Sequence, residues 1–294
     1  MAVTASMVKE LREMTGAGMM DCKKALAETD GNMEEAVEFL RKKGMAGADK
    51  KAGRIAAEGV IAIAISDDKK KAAIVEVNCE TDFVAKGDEF KGFADEIAQI
   101  VLKTGINDID ELMKQTMANG KSIDETRREM IAKIGENMAV RRLEIVETSG
   151  QIGKYQHGEK IGVVVAMNGG DEELVRDIAM HVAAVNPSAI SADDVDQAML
   201  EKERNFQIEQ AQSSGKPMEI IEKMIEGRMR KYLQEITLLG QSFVKDPDQT
   251  VEKLLKANDA MVTNFVRLEV GEGIEVEETN FADEVAAAAA AVKG

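Results

Sequence analysis

Val60-Ile-Ala-Ile-Ala-Ile65, broken by Ser66-Asp67-Asp68 and answered by Ile74-Val-Glu-Val77, decides the fold class of this chain. Val60, Ile61, Ile63 and Ile65 mark a strand, the polar triplet its stop, and the second run completes a β-hairpin. Phe90, Phe93, Ile97, Ile100 and Val101 then recur at helical spacing. The pattern returns further on. Ile161-Gly-Val-Val-Val165 is again a strand, preceded by a turn at Tyr155-Gln-His157-Gly and followed by Gly-Asp-Glu and a helix. Ile97-Ala98-x-x-Val101 and Ile178-Ala179-x-x-Val182 repeat one pattern, and Asn137-Met-Ala-Val-Arg-Arg-Leu143-Glu resembles Asn264-Phe-Val-Arg267-Leu268-Glu269-Val. The expectation is an α+β core made of two related units with small antiparallel sheets, residues 55–147 and 148–270.

Upstream, the period is helical throughout. Met7, Val8, Leu11 and Met14 give a first helix broken at Gly16-Ala-Gly18, and Met19 to Thr29 gives a second, stopped by Asp30-Gly31. Asn32 caps a third, with Glu35 in capping-box position, a face of Met33, Ala36, Val37 and Leu40, and an expected end at Gly44. Residues 1–54 therefore form a three-helix docking module and linker. They hold ten basic and nine acidic residues, a net of +1, in a chain whose net charge is −16.

The two core units differ informatively. The first carries about eight extra residues, Cys79 to Lys86, between strand and helix; the second carries an insertion at 193–232. There Val195, Met199 and Phe206 face Met218, Ile221, Ile225, Met229 and Tyr232 across Ser213-Ser-Gly-Lys-Pro217. This reads either as an antiparallel coiled-coil arm or as two ordinary packed helices. Residues 271–294 form a last module, with Phe281, Val285 and an alanine run in a helix.

Composition removes several classes of function. With 38 basic against 54 acidic residues, the chain lacks the basic surface that grips phosphate backbones, so no direct nucleic-acid partner is expected. Two His, two Cys and no Trp leave little for zinc clusters or disulfide frameworks, and aromatics at 3% leave little for base stacking. Charges at Lys9 and Glu10 interrupt any secretory signal and no apolar run reaches membrane-spanning length, so a cytoplasmic protein with no membrane partner is expected.

No phosphate loop, nucleophile elbow or metal motif appears, so neither cofactor nor metal nor enzymatic chemistry is expected. Cys79, beside Glu80, reads as an inert buried thiol, and His181 as a packed helix residue. The odd feature is Thr81-Asp82-Phe83-Val84, read as a loop between strand and helix. A ring beside a carboxylate there is either a wedge for a partner or a residue folded back onto the core.

The segments Val8-Lys-Glu-Leu-Arg12, Thr15 to Leu26, Asn78-Cys-Glu-Thr-Asp-Phe-Val84, Gly135-Glu-Asn137, Tyr155-Gln-His-Gly158, Gly215-Lys-Pro217 and Val270-Gly-Glu-Gly-Ile274 together resemble the bacterial translation elongation factor Ts family over essentially the full length. The resemblance implies a ubiquitin-associated-like first module, a duplicated core, a coiled-coil arm and a C-terminal helix. It implies a guanine nucleotide exchange factor for elongation factor Tu, binding its GDP-bound and nucleotide-free forms. Thr81, Asp82, Phe83 and Val84 would enter the GTPase domain near its magnesium. Arg12, Met19 and Met20 would dock a helix of that domain, with His157 approaching the partner's third domain and Phe281 also in contact. The alternative for Met19 and Met20 is core packing, but adjacent helical residues lie about 100° apart, so one interior does not enclose both. A homodimer or a 2:2 complex through the arm is compatible with this reading. The rival is an interaction or holdase-like module that binds Tu without promoting exchange.

Overall fold

The computed structural model describes residues 3–212 and 218–275. Three helices open the chain: α1 (Ala5–Thr15), α2 (Met19–Glu28) and α3 (Met33–Lys51). Thr4 caps α1, and Asn32 caps α3 by accepting from the backbone of Glu34 and Glu35. Their interior is Val8, Leu11, Cys22, Ala25, Leu26 and Ala36, with Met33, Val37 and Leu40 partly buried around it.

Gly44 does not end α3, contrary to expectation. The helix continues to Lys51 because it packs along α7 (Ile123–Ile134), and a Cβ at Gly44 would stand 3.0 Å from that of Ala132. The glycine serves a close helix–helix approach rather than a stop. Arg41–Glu125 and Arg128–Asp49 (3.0 Å) join the same two helices.

The first unit is β1 (Glu58–Ile65), β2 (Lys71–Cys79), the one-turn α4 (Asp82–Ala85), α5 (Asp88–Thr104), the one-turn α6 (Ile109–Leu112), α7 and β3 (Met138–Glu147). The second is β4 (Gln151–His157), β5 (Ile161–Asn168), α8 (Glu172–Val185), a helical pair α9 (Gln197–Gln212) and α10 (Met218–Ile236), the short β6 (Ser242–Phe243) and β7 (Asp246–Thr250), α11 (Val251–Ala257) and β8 (Met261–Glu269). Each unit has an antiparallel three-stranded sheet, ordered β1-β2-β3 and β4-β5-β8. Both carry a bulge at the same place. Arg141 is the extra residue opposite Glu76/Val77, and Thr263 the extra residue opposite Ala166/Met167. Tyr155-Gln-His157 is strand, not turn; the chain reverses at 158–160.

The two sheets pack face to face through Ile61, Ile63, Ile74, Val146, Ile152, Val164 and Leu268. Helix α5 covers the outer face of the first with Phe90, Phe93, Ile97 and Val101, and α8 that of the second with Leu174, Val175, Ile178 and Val182. This explains the near-continuous apolar strands: a strand covered on both faces has no polar side to alternate with. Each large side chain so buried contributes about 1.5–3 kcal/mol.

The α9–α10 pair packs through Leu200, Ile208 and Ala211 against Ile221, Ile225, Met229 and Tyr232. On α10 Ile221, Ile225, Met229 and Tyr232 are as expected, and the Met218 side chain lies outside what is described. On α9 the seam is different: Met199 and Phe206 face solvent, and Val195 is buried before the helix begins. Arg228 bonds Gln207 across the pair at 2.9 Å, so part of the seam is polar. The expected C-terminal helix and Phe281 lie outside the described residues. No helix among those described is long and apolar enough to cross a membrane.

Candidate functional site

Eight residues, 80–87, link β2 to α5, whereas three, 169–171, link β5 to α8. The longer connection is not a loop at its centre. Thr81 adopts extended backbone and its hydroxyl accepts from Val84 N at 3.4 Å, capping the single turn α4. Four residues cannot sustain a helix alone, because nucleation is unfavourable. Tertiary bonds hold this one.

Those bonds form a reciprocal clamp between residues 79–81 and 135–137. Glu136 accepts from the Thr81 amide at 3.0 Å and the Thr81 hydroxyl at 2.7 Å. Glu80 accepts from the Asn137 amide at 2.6 Å and pairs with Arg54 at 3.5 Å. Asn137 donates onward to the Arg54 carbonyl at 2.8 Å. The Cys79 thiol donates to the Thr81 carbonyl at 3.2 Å; burial, with Glu136 and Glu58 nearby, pushes its pKa up to about 12. Ala85 is buried and Val84 packs against the first core.

Phe83 alone escapes this anchoring. Its side chain is 83% exposed, the most exposed large apolar residue among those described. The fold-back alternative for Phe83 is therefore excluded. Beside it, Asp82 pairs with Lys86 at 2.5 Å; that hydrogen bond and charge, with Lys160, hold its carboxyl below the usual range. Ring and carboxylate stand together on one fixed turn.

The β4–β5 reversal belongs to the same end of the sandwich. Glu159 pairs with Lys91 of α5 at 2.8 Å and its carbonyl accepts from Ile61, while Lys160 pairs with Glu58. His157, exposed at the end of β4, therefore stands beside this corner. Arg12, Met19 and Met20 lie on the separate three-helix module. Both methionines are exposed, at 57% and 76%, joined by Met14 at 62%, so the core alternative for Met19 and Met20 fails. Met14, expected on the apolar face of the first helix, is exposed instead, and nothing in the local sequence announced the Glu80 and Glu136 clamp.

His181 is fully buried. Its Nδ1 accepts from Val244 N at 3.1 Å, so Nε2 donates to Gln241 Oε1 at 2.9 Å; burial lowers its pKa. It is structural. Among the described residues no group of three or more His, Cys, Asp or Glu is placed to hold a metal ion.

Comparison with known proteins matches the family model described as elongation factor TS across residues 80–272, a span that begins at the clamp. The chain belongs to the elongation factor Ts family. It is 87% identical over 294 residues to elongation factor Ts of Hydrogenovibrio crunogenus, covering 100% of both chains. Elongation factor Ts of Thioalkalivibrio sulfidiphilus is 59% identical over 291 residues (98% of this chain, 99% of the relative). That of Methylococcus capsulatus is 58% identical over 288 residues, with 98% of each covered. The clamped, ring-bearing turn lies within the matched span.

Proposed function

We propose that the chain is a guanine nucleotide exchange factor for elongation factor Tu, and that α4 performs the exchange. The observation that carries this is Phe83, 83% exposed on a turn whose N-terminal side is bonded to Glu136 and Asn137 and whose Val84 and Ala85 pack into the first core. A lone exposed apolar side chain is ordinary on a protein surface; Phe83 is distinguished by the anchored turn that holds it beside Asp82. Elongation factor Ts relatives over the whole length support the choice of partner.

In this reading residues 1–54 are a ubiquitin-associated-like module docking the GTPase domain through Arg12, Met19 and Met20. Residues 55–147 carry the exchange turn, and 148–270, with an arm at 193–232, approach the partner's third domain through His157. Residues 271–294 reach back to the GTPase domain through Phe281. Phe83 intrudes between partner side chains near the magnesium site, while Asp82, ionised beside Lys86, brings negative charge to a site that holds negative phosphates. The result is coupling without covalent chemistry. The factor binds the nucleotide-free GTPase more tightly than the loaded one, and by linkage lowers nucleotide affinity by the same factor. The arm presents Met199, Phe206 and Ile220 to solvent, the surface on which two copies, or a 2:2 complex with Tu, would pair. A role in translation elongation places the protein in the cytoplasm.

The test is release of fluorescent GDP from elongation factor Tu after rapid mixing with the protein. Release accelerates if the reading is right. Binding without acceleration would replace exchange by the simple interaction module.

A further inference from the structure

Helix α3 is longer than the module it closes, and its two halves belong to different cores. The first half lies in the three-helix interior, where Ala36 is buried and Met33, Val37 and Leu40 pack around it. In the second half, Ala48 is buried in the same core as Phe90 and Ile97 of the first unit. The local sequence does not favour this continuity, because Gly44 and Gly47 are poor helix formers in the run 43–51. Packing on α7 supplies it. Gly44 lets the helices approach at Ala132, Lys51 Nζ donates to the Ile131 carbonyl at 3.4 Å, and Arg128 reaches Asp49 at 3.0 Å. Exposed ion pairs contribute little alone, so the shared burial of α3 does most of the holding.

The far end of α3 leads directly to the clamp. Asn137 donates to the carbonyls of Ala52 at 3.4 Å and Arg54 at 2.8 Å, and Arg54 pairs with Glu80 at 3.5 Å. Glu80 and Asn137 are two of the residues that hold α4 in place. The end of α1 is seated as well. A Cβ at Gly16 would stand 3.5 Å from Lys133 Cδ, and Lys133 pairs with Glu89 of α5 at 2.8 Å. Exposed Met14, Met19 and Met20 on the module and exposed Phe83 on α4 therefore stand on one continuously bonded framework. The stretch 45–53, which composition marks as a linker, is mostly helix.

We propose that residues 43–51 of α3 are a rigid strut, and that Gly44 and Ala48 are positioning residues that set the spacing between the methionine face and Phe83. The inference rests on the exchange reading above. Two contact faces at a fixed spacing engage together, whereas a hinge between them lowers the effective concentration of the second contact. A strut also removes the cost of ordering the module at docking. Its effect falls on association, while the release step belongs to Phe83.

The test breaks the strut between the two cores. A Cβ at Gly47 would have nothing within 4 Å, so substitutions there leave both interiors their side chains. Gly47→Pro removes a helix bond and kinks α3; Gly47→Ala keeps the helix and is the control. The first readout, which does not involve Tu, is the distance between spin labels at Glu28→Cys on α2 and Lys103→Cys on α5. Both positions are exposed, and the native thiols Cys22 and Cys79 are buried. One narrow distribution is expected in the otherwise unaltered protein and in Gly47→Ala, and a broad or shifted one in Gly47→Pro. A broad distribution without Gly47→Pro, or a narrow and unshifted one with it, overturns the strut. The second readout is GDP release across a concentration series of the factor. Gly47→Pro raises the half-saturating concentration about 10-fold and leaves the saturating rate unchanged, the opposite of what Phe83→Ala does. An unmoved half-saturation, or a loss confined to the saturating rate, rejects the positioning role. If Gly47→Pro fails to fold, two glycines inserted between Ala46 and Gly47 interrupt the strut at the same place and face the same two readouts. If the unaltered protein releases no GDP, the exchange reading fails, and the label distances still judge the strut.

Discussion

Replacing Phe83 by alanine separates function from stability more sharply than any other single change. An enclosed phenylalanine side chain buries about 200 Å². With 83% of this one exposed, about 170 Å² is left for a partner, a ceiling of ~4 kcal/mol at 25 cal/mol/Å². Association costs consume part of that, and each ~1.4 kcal/mol is tenfold in rate. Phe83→Ala should therefore slow GDP release from elongation factor Tu by between about 10-fold and about 1,000-fold. The loss should appear in the release rate at saturating factor more than in affinity, since a wedge acts once the other surfaces have docked. The same variant should unfold within about 2 °C of the parent, because an exposed ring contributes little to the fold. The assay is stopped-flow release of fluorescent GDP across a concentration series, paired with a thermal melt. Wild-type release at saturation would refute the wedge; a melting point lower by many degrees would refute the claim that the ring is free of the core.

The clamp predicts the converse. Glu136→Ala strips acceptors from a part-buried amide and hydroxyl of Thr81, and should cost about 2 kcal/mol in denaturant unfolding and slow release with Phe83 intact. Glu136→Gln should fall between it and the parent. Cys79 should resist alkylation in the folded protein at pH 8. Because its pKa rises from 9.0 to about 12 on folding, its contribution to stability is whole below pH 9 and is lost as pH rises toward 12. A melting series from pH 8 to pH 11 in Cys79→Ala should show a shallower fall than the parent. His181 works at the other end: burial lowers its pKa from 6.5, so the unfolded chain binds the extra proton and stability should fall as pH drops below 6.5. The tautomer is checked by nitrogen chemical shifts at neutral pH, with Nε2 protonated and Nδ1 bare; the reverse assignment would contradict it.

Much of the fold was legible because burial repeats along the chain. Ile61, Ile63 and Ile74 read as strand because both faces of the first sheet are covered, and Ile97 and Ile178 read as helix because one face is. The failures share a cause. Gly44 carries a stop signal locally, yet packing against Ala132 of α7, far along the chain, overrides it. For α9 the sequence offered Val195, Met199 and Phe206, yet packing against the partner helix selects Leu200, Ile208 and Ala211. At the site, exposure of Phe83 could only be suspected from its place between strand and helix. The clamp joins Thr81 to Glu136 and Glu80 to Asn137 across more than fifty residues, and nothing local announces such a pairing. A lone Glu in the run Ile74-Val-Glu-Val77, together with Arg141-Arg142 in the returning strand, was a signal of buried charge that the sequence did offer.

The clamp also explains why the exchange element is a single turn and not a flexible loop. Ordering one residue's backbone costs about 1–2 kcal/mol. Were 82–85 disordered in the free protein, docking would bear that cost for each of the four, on the scale of everything Phe83 can gain by burial. Thr81, Glu136 and Glu80 settle the cost during folding, where the first core with α5 and β2 is already in place to bear it. The ring then meets its partner already oriented, so burial energy is available for displacing partner groups rather than for arranging its own backbone. Loosening the clamp should therefore tax exchange even though no clamp residue need touch the partner. The size of that effect in Glu136→Ala, set against the unchanged exposure of Phe83, measures how much of the activity is pre-organisation.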